Sequence, residues 1–210
     1  EAWSPETRDL DRYEVARVAV ATGLSFSFLY RENMELLEGA GAEVVTFDPT
    51  TDEDLPAGTD TLYVGGGFPE TYAEALSTNG RMRESVRAFA ASGRPVVAEC
   101  GGLLYLVREL DGHPMCGVLD AEATMTDRLT LGYREARALA DSPLAGRGAN
   151  VRGHEFHYSA VEPGASERPA WELAGRGQEG FVAGGVHASY LHTHWAGVPQ
   201  AARRLVEACR

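Results

Sequence analysis

One stretch of the chain decides the fold: VVAECGG, at residues 96–102. A short β-branched strand runs directly into Cys100, two glycines follow, and apolar residues then recur at helical spacing up to Val107. This is the strand–nucleophile–helix turn of G-x-S-x-G hydrolases, with sulfur in place of oxygen. The sharp turn exposes the side chain, and the N-terminus of the following helix favours a thiolate. We therefore predict that Cys100 is a nucleophile; the alternative is a buried cysteine that only fills space.

The first half of the chain alternates strands and helices around this turn. Strands are predicted at residues 15–21, 42–47, 61–64 and 95–99. A helix is predicted from residue 26 to the glycines at 39 and 41, and further helices are predicted from residue 69 and over 82–91. The apolar face of the first helix consists of Phe26, Leu29, Tyr30, Met34 and Leu37. Such alternation predicts a parallel sheet with right-handed crossovers.

The second half of the chain changes character. Residues 115–161 contain short β-like runs separated by turn residues, which predicts an antiparallel extension of the sheet. A late strand is predicted over 181–191, and the chain closes with a helix whose apolar face carries Val198, Ala201, Ala202, Leu205 and Val206. Residues 1–14 are polar and charged and are predicted to be a linker or arm, so that residues 15–210 form one domain.

Composition narrows the classes of partner. The 210 residues carry a formal net charge of −12, which argues against nucleic acid and anionic membranes, because both bind basic surfaces. No apolar run approaches the roughly 20 residues that cross a bilayer, and the first residues lack the pattern of a signal peptide. Three cysteines without close spacing predict neither a disulfide framework nor a zinc site, and a reactive thiol suits the cytoplasm. The sequence has no phosphate-loop motif, so ATP is not expected to bind this chain.

A cysteine nucleophile needs a base, and His192 is the best candidate among the six histidines. It follows the late predicted strand, and sites in open parallel sheets gather at the carboxyl ends of strands. An oxyanion needs preorganised N–H donors, which Gly66 or Gly67 could supply together with Gly101. The alternatives are a structural histidine and a tight turn that merely requires small residues.

The run RGHEFHY at residues 152–158 is dense in polar groups for a strand. Alternation places His154 and Phe156 on one face of that strand, and Glu155 and His157 on the other. The run could line a substrate pocket, hold a metal or form structural hydrogen bonds. A metal is the least expected, because no carboxylate and histidine stand at helical i,i+4 spacing. We predict no metal site.

Together these motifs resemble the C-terminal glutaminase domain of the cobyrinic or hydrogenobyrinic acid a,c-diamide synthases, within the class I glutamine amidotransferases. The resemblance runs from about residue 15 to the C-terminus and rests on the segments 63–70, 98–106, 126–134, 152–159 and 188–195. The segments around Cys100 and His192 define the broader class, whereas 152–159 is the most specific for the diamide synthases. The resemblance implies a flavodoxin-like α/β fold of three layers, with a mostly parallel central sheet and an antiparallel extension.

The resemblance also implies a mechanism. The Cys100 thiolate attacks the side-chain amide of glutamine, ammonia leaves with His192 as proton donor, and water releases glutamate from the thioester. Ammonia passes to an N-terminal ATP-dependent synthetase domain, which converts the a and c carboxylates of the corrin substrate to amides. ATP and Mg²⁺ are expected in that domain, and no cofactor is expected in this chain. The residues expected to bind glutamine are Leu104, Tyr133, Arg134, His154, Glu155 and His157.

This chain departs from the family pattern in two respects. It lacks the phosphate-loop domain, so it is expected to be the glutaminase half alone. Class I glutaminases usually place a glutamate two residues after the histidine, where this chain has His194, so the group that orients His192 is left open. The alternatives are a related tetrapyrrole amidase, such as nickel-sirohydrochlorin a,c-diamide synthase or cobyric acid synthase, and a catalytically silent binding module of the same fold. Self-association into a homodimer is also left open.

Overall fold

The computed structural model describes residues 15–209, so the linker predicted at residues 1–14 lies outside the described residues. The helices are α1 (Arg31–Gly39), α2 (Ala73–Thr78), α3 (Gly80–Ala91), α4 (Gly101–Leu106) and α5 (Gln200–Glu207). The strands are β1 (Ala16–Ala21), β2 (Ala42–Phe47), β3 (Thr61–Val64), β4 (Val96–Glu99), β5 (Glu109–Leu110), β6 (His113–Pro114), β7 (Glu122–Ala138), β8 (Asn150–Glu162), β9 (Trp171–Leu173), β10 (Gly177–Glu179), β11 (Phe181–Ala183), β12 (Val186–Ser189) and β13 (His192–Thr193).

Six strands form the central sheet, in the order β2-β1-β3-β4-β12-β11. Every neighbouring pair is parallel except β11 and β12, which form an antiparallel hairpin at one edge. The predicted parallel sheet is therefore confirmed. The single late strand predicted over 181–191 is instead this hairpin, because the chain reverses at Gly184, whose φ of +56° suits a tight turn.

Helices cover both faces of the central sheet, as the buried strands of a parallel sheet require. On one face, α2 and α4 contribute Leu76 and Leu103 to an apolar cluster. On the other face, α1 and α5 contribute Leu37 and Leu205 to a second cluster. The three-layer α/β fold is thus confirmed, although Val198 precedes the closing helix rather than lying within it. None of the helices formed by residues 15–209 combines the length and apolar character needed to cross a membrane.

The segment predicted to extend the central sheet forms a second sheet of its own. Its strands run in the order β10-β9-β7-β5-β6, and β8 pairs with both β7 and β13. β7 and β8 form a long antiparallel hairpin, whose register shifts between Met125 and Thr130. The structure differs from the prediction here because alternation identifies a strand but does not identify the strand with which it pairs.

The first helix begins later than predicted. α1 starts at Arg31, and residues 26–30 form a loop in front of it. In this loop Phe28 pairs with Gly66: the Phe28 N–H donates to the Gly66 carbonyl at 3.0 Å, and the Gly66 N–H donates back at 3.2 Å. This long-range bridge overrides the helical periodicity and brings Phe28 to the carboxyl end of β3. Similarly, α2 begins later than predicted, at Ala73.

Candidate active site

Cys100 occupies the turn between β4 and α4 in a backbone conformation that few residues other than glycine adopt. Its φ is 50° and its ψ is −99°. Such a conformation costs about 1–3 kcal/mol and is concentrated at functional sites. The surrounding backbone holds the turn, because the Cys100 N–H donates to the Ser189 carbonyl at 2.8 Å and the Gly102 N–H donates to Gly65 at 2.9 Å. A Cβ at Gly102 would overlap the carbonyl of Val64, so this position requires glycine.

The glycine triplet after β3 faces this turn. The Gly66 N–H already donates to Phe28, so it cannot serve an oxyanion, and this part of the prediction is wrong. The Gly67 N–H has no acceptor within residues 15–209, and its nitrogen lies 2.9 Å from where a Cβ on Gly101 would stand. The Gly101 N–H lies close enough to the Cys100 sulfur to lower the pKa of the thiol, although burial outweighs this effect. Gly67 and Gly101 therefore bring two N–H donors together beside the sulfur.

His192 reaches the same site from β13. It is 4% exposed, and the pairing of β13 with β8 places it opposite His154. The two imidazole rings stack with their centroids 4.8 Å apart and their planes 10° apart, while the Phe28 ring meets His192 edge-on at 5.1 Å. A Cβ at Gly66 would overlap Cε1 of His192, so the glycine completes the fit. The ring is thus held in place by packing.

Cys100 and His192 are both neutral in the resting site. Burial, with smaller contributions from nearby carboxylates of which Glu70 has the largest effect, raises the pKa of the Cys100 thiol to about 12. Burial lowers the pKa of His192 to about 3, with an added contribution from His154. Burial therefore opposes the thiolate that the turn at Cys100 predicts, and the N-terminus of the short helix α4 does not offset this effect. Attack by this sulfur on a substrate would require its proton to pass to a neighbouring base.

A cavity of about 270 Å³ opens beside the Cys100 sulfur. The second sheet, helix α4 and the loops after β1, β3 and β4 contribute to its wall. The wall consists of Phe28, Gly67, Phe68, Glu70, Cys100, Leu104, Met125, His154, Phe156, His157, Tyr158, Ser159 and His192. The structure thus brings six predicted residues together on one wall: Gly67, Cys100, Leu104, His154, His157 and His192. The volume suits a small ligand such as an amino acid rather than a macrocycle.

Three residues predicted to bind glutamine lie outside this wall: Tyr133, Arg134 and Glu155. Arg134 and Glu155 form an ion pair, with side chains 10% and 6% exposed. Burial alone would raise the pKa of Glu155, but the neighbouring His157 imidazole, 3.7 Å away, and the hydrogen-bonded Arg134 guanidinium bring that pKa below its ordinary value. Tyr133 is 92% exposed. The ion pair therefore stabilises the strand that forms the wall. Tyr133 lies on the surface beside the wall.

The cavity wall also includes Phe28, Phe68 and Glu70, which the sequence motifs did not identify as site residues. Glu70 carried a signal, because it closes the segment 63–70 on which the resemblance rests. Burial raises the pKa of Glu70 above its ordinary value. Phe28 carried no local signal, since its place depends on the bridge to Gly66.

The histidines of the site stack on rings instead of converging on one point. His154 stacks on His192, and His157 stacks on Tyr190 with centroids 3.7 Å apart. Within residues 15–209, no three His, Cys, Asp or Glu side chains gather in a way that could hold a metal ion. Of the three interpretations of the polar run at 152–158, the structure supports the wall of a pocket.

Comparison with known proteins places the chain in a family. It matches the model of the CobB/CobQ-like glutamine amidotransferase domain over residues 17–199. It is 63% identical over 196 residues to a hydrogenobyrinate a,c-diamide synthase of Streptomyces coelicolor. The alignment covers 92% of this chain and 40% of that protein. It is 45% identical over 208 residues to a cobyrinate a,c-diamide synthase of Syntrophotalea carbinolica. This alignment covers 92% of this chain and 45% of that protein. The chain therefore spans less than half the length of these relatives.

A solved structure agrees with the fold. The crystal structure of a glutamine amidotransferase of Thermotoga maritima matches with a TM-score of 0.63 at 14% identity, covering 93% of this chain and 83% of that one. At this identity the likeness shows the fold alone. The family model, by contrast, covers most of the sequence, including the Cys100 turn, the glycine triplet and His192. The chain belongs to the CobB/CobQ-like glutamine amidotransferase domain family.

Proposed function

We propose that this chain hydrolyses glutamine at Cys100 and supplies the ammonia to an a,c-diamide synthase that amidates hydrogenobyrinate or cobyrinate. One constellation carries the proposal: a nucleophile on a strained turn, two N–H donors beside it and a neutral imidazole, all around one cavity. The relatives described above are named as a,c-diamide synthases of these two acids, and this chain matches the amidotransferase portion of them.

The geometry supports acyl transfer through a thioester. The Cys100 sulfur attacks the side-chain amide carbon of glutamine while its proton passes to His192, and the amide oxygen becomes negative beside the N–H groups of Gly67 and Gly101. The tetrahedral intermediate then collapses as the C–N bond breaks, and the imidazolium gives its proton to the leaving nitrogen, which departs as ammonia. Water, deprotonated by His192, attacks the thioester carbon, and the sulfur recovers its proton as glutamate leaves.

These steps use a thiol, an imidazole and backbone amides, so we propose that the chain itself needs no cofactor. A carboxylate has to be activated before ammonia can displace one of its oxygens. We therefore place ATP, Mg²⁺ and the corrin substrate in a synthetase domain, corresponding to the portion of the relatives that lies outside the match. A free thiol nucleophile also suits a reducing compartment, and we place the reaction in the cytoplasm.

Exposed apolar side chains border the cavity and support a docking site for that domain. We call Phe68, Leu131, Tyr133, Phe156 and Tyr158 the apolar rim; each is between 44% and 92% exposed. Three of these residues also line the cavity, and the other two lie beside them on the β7–β8 hairpin. Contiguous exposed apolar surface of this kind marks interaction sites. A synthetase domain seated on the apolar rim would keep the released ammonia from bulk water.

Glutamate release tests the proposal. It is measured from glutamine for the chain and for Cys100→Ala, each alone and with the synthetase domain, the corrin substrate and ATP·Mg²⁺. We expect release that depends on Cys100 and rises when the partner is complete. A diazoketone analogue of glutamine should label the unaltered chain but not Cys100→Ala. If neither release nor labelling occurs under any condition, the chain is a binding module of the same fold.

A further inference from the structure

We propose that Glu99 is the positioning residue of His192 and that it acts through Thr193. The inference rests on the proposed glutaminase function. Glu99 is the last residue of β4, directly before Cys100, and Thr193 directly follows His192 in β13. A single carboxylate therefore connects the strand that carries the nucleophile to the strand that carries the base.

The Glu99 carboxylate is 1% exposed and accepts three hydrogen bonds. Thr193 donates two of them to Oε1, from its backbone N–H at 3.1 Å and from its hydroxyl at 2.5 Å. Tyr63 donates the third, from its hydroxyl to Oε2 at 2.9 Å. Hydrogen bonds to a buried carboxylate are short and strong, so they fix both partners firmly.

The directions of these bonds follow from the groups behind them. The indole nitrogen of Trp195 can only donate, and it donates to the Thr193 hydroxyl oxygen at 3.0 Å. The Asn33 amide nitrogen likewise donates to the Tyr63 oxygen at 3.3 Å. Because both hydroxyl oxygens already accept a hydrogen bond, both direct their own hydrogens towards Glu99. The carboxylate is thus an acceptor only, as its ionised form requires.

Asn33 also binds the main chain around Thr193, from the side opposite Glu99. Its amide nitrogen donates to the Thr193 carbonyl at 3.2 Å, and its amide oxygen accepts the Trp195 N–H at 2.9 Å. The main chain directly after His192 is therefore held from two sides. Among the side chains of residues 15–209, Glu99 connects this main chain to the turn that carries the sulfur.

The imidazole of His192 packs on rings rather than on an acidic group. It lies between His154 and the edge of Phe28. His194, at the position where related glutaminases have a glutamate, has a side chain 42% exposed and lies 3.8 Å from Glu32. Stacking sets the tilt of the imidazole, but the distance from imidazole to sulfur depends on the main chain. The buried carboxylate fixes that main chain.

Glu179 offers a matched control. It too is a buried carboxylate that accepts hydrogen bonds from this segment, from the Ser189 hydroxyl and the Tyr190 N–H, each at 2.7 Å. Burial raises the pKa of Glu179 to about 7, as it does that of Glu99. Its hydrogen bonds end before His192, however, and do not involve a residue adjacent to the base.

Steady-state glutamate release by the complete synthase tests the proposal. We expect Glu99→Gln to lower kcat on the order of 10²-fold, the loss typical of a misplaced catalytic group, and to leave KM for glutamine within about twofold. Thr193→Val should lower kcat about tenfold, and Thr193→Ser should recover it to within about threefold, because serine keeps the hydroxyl. Glu179→Gln should lower the melting temperature as much as Glu99→Gln does, yet keep kcat within about threefold.

The outcomes separate the positioning role from the function on which it rests. If the unaltered synthase releases no glutamate, both the glutaminase and the positioning role are overturned. If it is active and Glu99→Gln keeps kcat, raises only KM, or loses no more kcat than Glu179→Gln, the positioning role alone is overturned. Should Glu99→Gln fail to fold, the Thr193 pair decides: equal activity of Thr193→Val and Thr193→Ser would overturn the proposal.

Discussion

The two sheets contribute to one site in different ways. Strands of the central sheet are four to six residues long beside the site and end in the turns that carry Cys100 and Gly67. The second sheet is built on β7 and β8, of 17 and 13 residues, which place His154 and His157 on the cavity wall and leave part of one face exposed. The central sheet thus fixes the sulfur of Cys100 and the N–H of Gly67, whereas the second sheet carries His192 on β13, encloses the cavity and meets the exterior.

This difference predicts how the two sheets respond to substitution. Changes at the turns of the central sheet should abolish or strongly slow the chemical step. Changes on the exposed face of the second sheet should leave the chemical step intact and alter its coupling to a partner. A substitution on the exposed face of the second sheet, away from His192, that abolished the chemical step would break the comparison.

The largest effect is expected at the nucleophile. Cys100→Ala should lower glutamate release more than about 10³-fold, because no other group can form the thioester. The free energy of unfolding should stay within about 1 kcal/mol, since the alanine leaves only a small space beside the cavity. Release is measured with a coupled glutamate assay and unfolding by urea titration. Retention of more than one hundredth of the rate, roughly, would contradict covalent catalysis at this residue.

The next effect is expected at Gly66, whose missing Cβ makes room for the His192 ring. Gly66→Ala should displace the imidazole and lower kcat about 10²-fold. Gly39→Ala is the control, because a Cβ there meets nothing within 4 Å. It should leave kcat unchanged and shift the free energy of unfolding by less than about 1 kcal/mol. Equal losses in both variants would show that backbone strain, not the fit to His192, is responsible.

A third effect concerns pH. Burial raises the pKa of Glu99 to about 7, while Cys100 and His192, with pKa values of about 12 and about 3, stay neutral around it. As pH falls through 7, Glu99 takes up a proton and ceases to accept three hydrogen bonds. We therefore expect kcat to fall about tenfold from pH 8 to pH 6.

Two variants identify the group whose protonation causes this fall in kcat at low pH, here called the acid limb of the pH profile. It should disappear in Glu99→Gln, which does not titrate. It should persist in Glu179→Gln, although Glu179 has a similar pKa of about 7. If the acid limb is instead lost only in Glu179→Gln, the titrating group is Glu179, which contacts the segment before His192.

The smallest effect on the isolated chain is expected on the second sheet. Leu131→Asp should leave basal glutamate release unchanged and the free energy of unfolding within about 0.5 kcal/mol, because this side chain is 59% exposed. It should, however, abolish most of the stimulation by the synthetase domain. Val15→Asp, at a residue 60% exposed next to the amino end of β1, is the matched control. Equal stimulation of both variants by the synthetase domain would show that the apolar rim is not part of the docking site.

Sequence reasoning succeeded where a signal is local. The turn at Cys100 was predictable because a buried strand, a nucleophile and two glycines follow one another directly. His192 was predictable because the end of a strand in a parallel sheet is a probable place for a base. In both cases the short-range pattern and the sheet topology agree.

It failed where the outcome depends on pairing over long distances. The bridge between Phe28 and Gly66 turned an expected helix into a loop and occupied an amide expected to serve the oxyanion. The second sheet forms because β7 and β8 pair with each other, which alternation cannot reveal. The role inferred for Glu99 depends on Thr193, 94 positions away along the chain. The protonation of the pair depends on burial, which a motif does not report.

The neutral resting thiol has a consequence for chemical damage. Peroxides and alkylating agents attack thiolates far faster than thiols. With a pKa of about 12, the Cys100 sulfur is almost entirely protonated while the chain waits for substrate. We therefore expect this sulfur to react with oxidants more slowly than an exposed cysteine, whose thiol has a lower pKa. In the proposed mechanism the proton leaves the sulfur only during the attack on glutamine, so free thiolate does not accumulate during turnover either.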